Sequence, residues 1–114
     1  MDILNLAYKD GPTVYYDAAF RAVLEDHMTY LRGHQDTTLQ QLEPHVVNKW
    51  RGDLFGFLTT INIPAHYQWL IMRMNSMSAP TDFDTNVETL LIPSPSEVEK
   101  IKAIHLTRIS KSTL

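Results

Sequence analysis

The sequence predicts an α+β fold: a small β-α-α-β centre with a helix on each side. Three observations carry that prediction. Gly52-Asp53 is a turn ending in a helix-capping residue, and two runs of helical apolar spacing follow it, split by Asn62-Ile63-Pro64. Val87 to Ile92 is a closing strand candidate, ending at Pro93. Ser94-Pro95-Ser96-Glu97 then has the pattern of a capping box with proline at the first helical position. The chain has 114 residues, enough for one compact domain and too few for two ordinary ones.

Along the chain, residues 1–42 read as an N-terminal helical arm, 43–93 as the small module and 94–114 as a C-terminal helix and tail. Asp10-Gly11-Pro12 signals a turn, and Thr13 is placed to cap a helix from about Tyr15 to Arg32. Tyr16, Ala19, Phe20, Val23, Leu24, Met28 and Leu31 fall on one face of that helix. Gly33 is placed to end it in a left-handed conformation. His34 to Leu42 is polar and reads as a loop or a short extended edge segment.

The module opens with His45 to Trp50, a strand candidate because of its β-branched and aromatic residues. Gly52 permits a tight turn, and Asp53 caps a helix that carries Leu54, Phe57, Leu58 and Ile61 on one side. Pro64 lacks an amide hydrogen and biases Ile63 away from helix, so the first helix stops there and a second begins. The second helix turns Tyr67, Leu70, Ile71 and Met74 inward, and Asn75 is suited to a left-handed C-terminal conformation. Ser76 to Asn86 is a long connection, in which Asn86 can take a positive φ. In the last helix Val98, Ile101 and Ile104 form the apolar stripe, and Ser110 to Leu114 reads as a frayed end.

Composition removes several function classes. The formal net charge is -3, so no basic footprint points to nucleic acid or an anionic membrane. With no cysteine, disulfide frameworks and Cys-based zinc sites are excluded. Met1 to Ala7 carries Asp2 and lacks the basic start and long apolar run of a secretion signal. No stretch approaches the roughly 20 apolar residues of a membrane span. A cytoplasmic site of synthesis is expected.

No catalytic constellation is visible. His27, His34, His45, His66 and His105 are scattered without metal-ligand spacing, so no metal or other cofactor is expected. Asp82 and Asp84 are close in sequence, but a long loop uses such residues for turn chemistry. Arg51-Gly52-Asp53 needs no adhesion role, because helix capping explains Asp53. The chain is therefore expected to bind and not to catalyse. The aromatic residues Tyr15, Tyr16 and Tyr30 are candidate contacts on the arm, since tyrosine is favoured at interfaces.

The order Gly52-Asp53, Asn62-Ile63-Pro64, Asn75, Pro80 and Leu90-Leu91-Ile92-Pro93 resembles a LysM module over residues 46–93. Trp69, six residues before Asn75, followed by Pro80-Thr81-Asp82-Phe83, narrows this. It is similar to the LysM-like wedge proteins in the baseplates of contractile-tailed bacteriophages. The arm introduced by Tyr8-Lys9-Asp10-Gly11-Pro12-Thr13 also resembles an extension of that family. The loop departs from the family pattern, carrying Phe83 where an aromatic of the Trp type is usual.

The resemblance implies a βααβ module with no chemistry of its own. It implies a structural virion protein that bridges neighbouring wedge subunits in a six-fold assembly, built in the host cytoplasm. The contact residues it suggests are Asp53, Leu54, Trp69, Met77, Pro80, Asp82 and Phe83. The alternative is a LysM module binding N-acetylglucosamine polymer through Asp53, Leu54, Met77, Ser78, Ala79 and Pro80. The helix on each side argues for the scaffold, since wall-binding modules sit on flexible Ser/Thr/Asn linkers.

Overall fold

In the computed structural model, residues 12–112 are described, with side chains from 13 to 109. The readings made for Met1 to Gly11, including the Asp10-Gly11 turn, lie outside the described residues, as do residues 113–114. The fold is mixed α+β. A short 3-10 turn, Pro12–Tyr16, leads into α1 (Ala18–Asp26) and α2 (Met28–Gly33). β1 (Thr38–Gln41) follows, then α3 (Pro44–Lys49), α4 (Leu54–Thr60) and α5 (Ala65–Met74). A 3-10 turn at Pro80–Asp82 precedes β2 (Thr89–Ile92) and the long α6 (Pro95–Ser112).

The predicted helix from Tyr15 to Arg32 is broken into pieces. Asp17, not Thr13, caps α1, accepting from the Ala19 amide at 3.2 Å. The second break is made by His27. Its backbone amide bonds the Leu24 carbonyl at 3.0 Å, and its ring Nδ1 donates to the Val23 carbonyl at 2.7 Å. The imidazole thus takes the carbonyl that the next helical turn requires, and the chain restarts as α2. Gly33 lies within α2 and has no positive φ.

The first strand is corrected. His45 to Trp50 is helical in α3 up to Lys49, and the strand is β1, inside the segment left as loop or edge. Pro44 decides this: at the first helical position its missing amide costs nothing and its fixed φ suits the helix. Buried Val47 and partly buried Val46 and Trp50 then share one helical side against the core. β1 pairs antiparallel with β2, with Thr38 opposite Ile92 and Gln41 opposite Thr89.

α4 and α5 close in the same way. At the end of α4, Ile63 N–H bonds the Leu58 carbonyl at 2.9 Å and Asn62 N–H the Thr59 carbonyl at 3.0 Å. At the end of α5, Met77 bonds Met72 at 3.1 Å and Ser76 bonds Arg73 at 3.0 Å. These are two Schellman closures. Among the described residues the left-handed non-glycine positions are Asn62 (φ 68) and Ser76 (φ 62), so Asn75 and Asn86 do not take the positive φ expected of them.

The chain folds around α5. Leu70 and Met74 join Phe20, Leu24, Leu31, Val98 and Ile101 in a core built with α1, α2 and α6. Ile71 and Met72 join Val47, Leu54, Phe57, Leu58, Phe83 and Leu90 in a second core, with α3, α4 and β2. Trp69 packs against both. A helix that buries residues most of the way round is the inner element of its domain. Tyr67 and Ile61, expected inside, are half-buried and exposed, while Gln68 is buried and donates to Thr59 Oγ1 at 2.9 Å and the Ile63 carbonyl at 3.1 Å. Ile104 is also exposed. Among the described residues, no helix is long and apolar enough to cross a membrane.

Candidate partner-binding site

The Gly52 turn and the Met77–Phe83 loop meet in space. Gly52, at φ 80°, donates its amide to the Phe83 carbonyl at 2.7 Å. Asp53 caps α4 as expected, accepting from the Gly56 amide at 3.0 Å. The Phe83 ring is fully buried and stacks on Phe57 with centroids 5.5 Å apart. Asp82 Oδ2 accepts from the Ser78 and Ala79 amides at 2.8 and 3.2 Å, which ties the loop to itself. Of the residues picked for this region, Leu54, Met77 and Phe83 are buried, Pro80 is half-buried, and Asp53 and Asp82 remain at the surface.

Asn75 fastens the module. Its Oδ1 accepts the Leu91 amide at 2.8 Å, and its Nδ2 donates to the Leu91 carbonyl at 3.0 Å and the Ile71 carbonyl at 2.7 Å. One side-chain amide so reproduces the bonds a third strand would make to β2.

The arm tyrosines separate into three environments. Tyr15 is buried and offers no free aromatic face, contrary to its reading as a contact residue. Its hydroxyl donates to Glu99 Oε1 at 2.7 Å, and Tyr67 donates to the same oxygen at 2.8 Å. Lys102 Nζ is 2.7 Å from Glu99 Oε2. Burial and the Glu99 hydrogen bond push the Tyr15 phenol far above its ordinary range. Burial acts to raise Glu99, but hydrogen bonds from Lys102, Tyr15 and Tyr67 outweigh it and hold the carboxyl below its usual value. His66, whose ring centroid is 4.9 Å from that of Tyr15, is pushed down chiefly by burial.

Tyr30 is exposed but tied by its hydroxyl to Glu97. That bond, together with one from Lys100, lowers the Glu97 carboxyl. His34 Nε2 lies 3.4 Å from Glu97 Oε1. Two carboxylates of α6 thus hold Tyr15 and Tyr30 of the N-terminal segment.

Tyr16 is 56% exposed and meets another residue singled out from sequence. The Arg21 guanidinium lies 5.6 Å from the Tyr16 ring centroid and 4.7 Å from that of Trp69. Its Nε donates to the Tyr15 carbonyl at 2.9 Å, which fixes it in place. One cation therefore joins two aromatic rings in a half-exposed patch. Arg21 carried no sequence signal for this, because Trp69 lies 48 residues away along the chain.

Among the described residues, no three His, Cys, Asp or Glu side chains gather as a metal requires. Compared with family models, with curated proteins and with solved structures, the chain gives no match.

Proposed function

We propose that this chain is a structural protein of a contractile phage tail, a LysM-like module that bridges neighbouring wedge subunits of the baseplate. Its partners are other baseplate proteins in a six-fold assembly, and it acts by holding them, without turnover. The observation that carries the binding reading is the Tyr16–Arg21–Trp69 patch. Tyrosine, tryptophan and arginine are the residue types enriched at interface hot spots. Arg21 is held by the Tyr15 carbonyl, so the patch meets a partner with little ordering cost.

The family part of the proposal rests on how the motif residues are used. Gly52 bonds the Phe83 carbonyl, Asp53 caps α4, Phe83 stacks on Phe57 of α4, and Asn75 joins α5 to β2. The observed order is β-α-α-α-β. We read it as a LysM-like β-α-α-β unit with the helix α3 added between the first strand and α4.

The sugar-binding alternative is less well supplied. Leu54 and Met77 are buried, and Asp82 already takes the Ser78 and Ala79 amides that would face a glycan. Quantitative mass spectrometry of purified virions, beside tails stripped of the baseplate, tests the proposal. The expected result is a copy number in multiples of six that is lost with the baseplate. Absence from the particle overturns it, and saturable binding of chito-oligosaccharide by the purified chain would then select the glycan reading.

A further inference from the structure

The two edges of the sheet are treated differently. Leu42 N–H bonds the Glu88 carbonyl at 3.0 Å, and the register places Gln40 opposite Leu90 and Thr38 opposite Ile92. In an antiparallel ladder, Thr38, Gln40 and Leu42 therefore turn their amides and carbonyls toward β2, while Leu39 and Gln41 turn theirs outward. Leu91, opposite Leu39, confirms the alternation, since its outward groups are those taken by Asn75. The β2 edge is closed at Leu91 by a side chain. The β1 edge is open: Leu39 N–H, Leu39 C=O and Gln41 N–H have no partner among the described residues, and Gln41 C=O has only the Gln40 side chain at 3.1 Å.

Open edges are commonly guarded by lysine, proline or a bulge, and Thr38-Leu39-Gln40-Gln41 has none of these. All four residues are exposed, Leu39 by 57%. Beside the strand runs a groove of about 470 Å³ whose walls include Val46, Phe57, Ile61, Ile63 and Ile92. Its one ionisable lining residue is Glu43.

We infer that β1 is a docking edge for an extended segment of another protein, added as a third strand. Alternate apolar side chains of that segment enter the groove, and basic residues flank its uncharged centre. The charge requirement comes from the two ends of β1. Asp36 precedes the strand and Glu43 follows it, each exposed. Each has a histidine within ion-pair reach, His34 Nδ1 at 4.0 Å and His45 Nδ1 at 3.6 Å; Lys100 acts on Asp36 from farther away, and among the described residues no lysine or arginine comes within ion-pair distance of either. A second copy fits poorly. Antiparallel self-pairing centred on Gln40 sets Asp36 opposite Pro44 and Glu43 opposite Thr37 of the other copy, so neither carboxylate meets a lysine or arginine there. Backbone bonds supply the affinity of such an added strand and the groove its specificity. The inference stands on the sheet alone and holds whether or not the protein belongs to a baseplate.

The test uses the full chain and two peptides with one alternating Thr/Val core, flanked by lysines or by glutamates. At low ionic strength the lysine-flanked peptide binds more tightly, and the Leu39 and Gln41 amides shift in heteronuclear NMR spectra. Leu39→Pro removes an outward amide and leaves the β1–β2 bonds intact, so it weakens binding about tenfold, the cost of one backbone hydrogen bond. N-methylation of the peptide on the amides facing β1 makes the same test without altering the protein. The double variant Asp36→Asn/Glu43→Gln removes the preference for lysine flanks. No binding of the lysine peptide, or binding indifferent to both Leu39→Pro and N-methylation, overturns the inference. Dimerisation of the free chain that Leu39→Pro abolishes overturns the choice of partner and assigns the edge to a second copy.

Discussion

Asn75 is the residue on which the module's closure depends most directly. It follows α5 at its C-terminal end and spans to β2 through three hydrogen bonds, two of them to Leu91. Asn75→Ala leaves the Leu91 amide and carbonyl without partners at a half-buried strand. The expected loss is about 2–3 kcal/mol, read as a lower midpoint in urea unfolding at unchanged slope. An unaltered midpoint would show that water replaces the side chain at no cost. The next residue makes the opposite prediction. Ser76 sits at φ 62°, where an L-residue is strained. Ser76→Gly relieves that strain at some cost in chain entropy, so the variant is expected to gain about 0.5–1 kcal/mol in the same assay. A loss of stability would mean that the serine side chain holds the turn.

At the scale of elements, α6 joins the two ends of the described chain. Val98 and Ile101 fill the first core, while Glu97 and Glu99 receive Tyr30, Tyr15 and Tyr67. Removing residues 94–114 therefore uncovers α1 and α2 and strands three phenols. A chain ending at Pro93 is expected to lose its cooperative thermal transition by circular dichroism, because the remaining helices cannot rebuild the first core. A sharp transition near that of the full chain would show that the module and arm hold together without α6. Short helices such as α2 and α3 are marginal by themselves and owe their existence to this packing.

For the whole molecule, the titratable ties set a window of pH. Glu97 and Glu99 have folded pKa values depressed below their ordinary 4.5. Each contributes its stability in full above the unfolded value and loses it as pH falls through the folded one. His66, depressed from 6.5, also stabilises above its unfolded value and loses that contribution as pH falls. Tyr15, Tyr30 and Tyr67 are raised above 10.0, so their contribution is complete below that value and is lost as pH rises. The melting temperature is expected to be highest between about pH 7 and 9 and to fall on both sides. Glu99→Gln is expected to shrink the acid limb, since the residue no longer titrates. A melting temperature that holds above pH 10 would contradict the role given to Tyr15. The same ties bring both ends of the described chain onto α5, which carries one core on each side.

By itself the sequence determined the mixed class, the α4–α5 pair with its Asp53 cap and Asn62-Ile63-Pro64 break, a closing strand within Val87 to Ile92 (observed as Thr89–Ile92) and the start of α6. These features follow from local chemistry: a capping carboxylate, a residue tolerant of positive φ, prolines without an amide and apolar periodicity. Only the tertiary structure decided the first strand. Thr38-Leu39-Gln40-Gln41 is exposed on every residue and has no period-2 apolar signal, so its pairing with β2 is what makes it a strand. At His45 to Trp50 the β-branched Val46 and Val47 suggest a strand, while Pro44 at the first helical position favours the helix that forms. The candidate site divides along the same line. Asp53 is legible as a cap from its neighbours, whereas the burial of Tyr15, the clamp of Asn75 on Leu91 and the Tyr16–Arg21–Trp69 patch join residues far apart in the chain. Such contacts exist only once two cores have folded around one helix, and no local pattern encodes them.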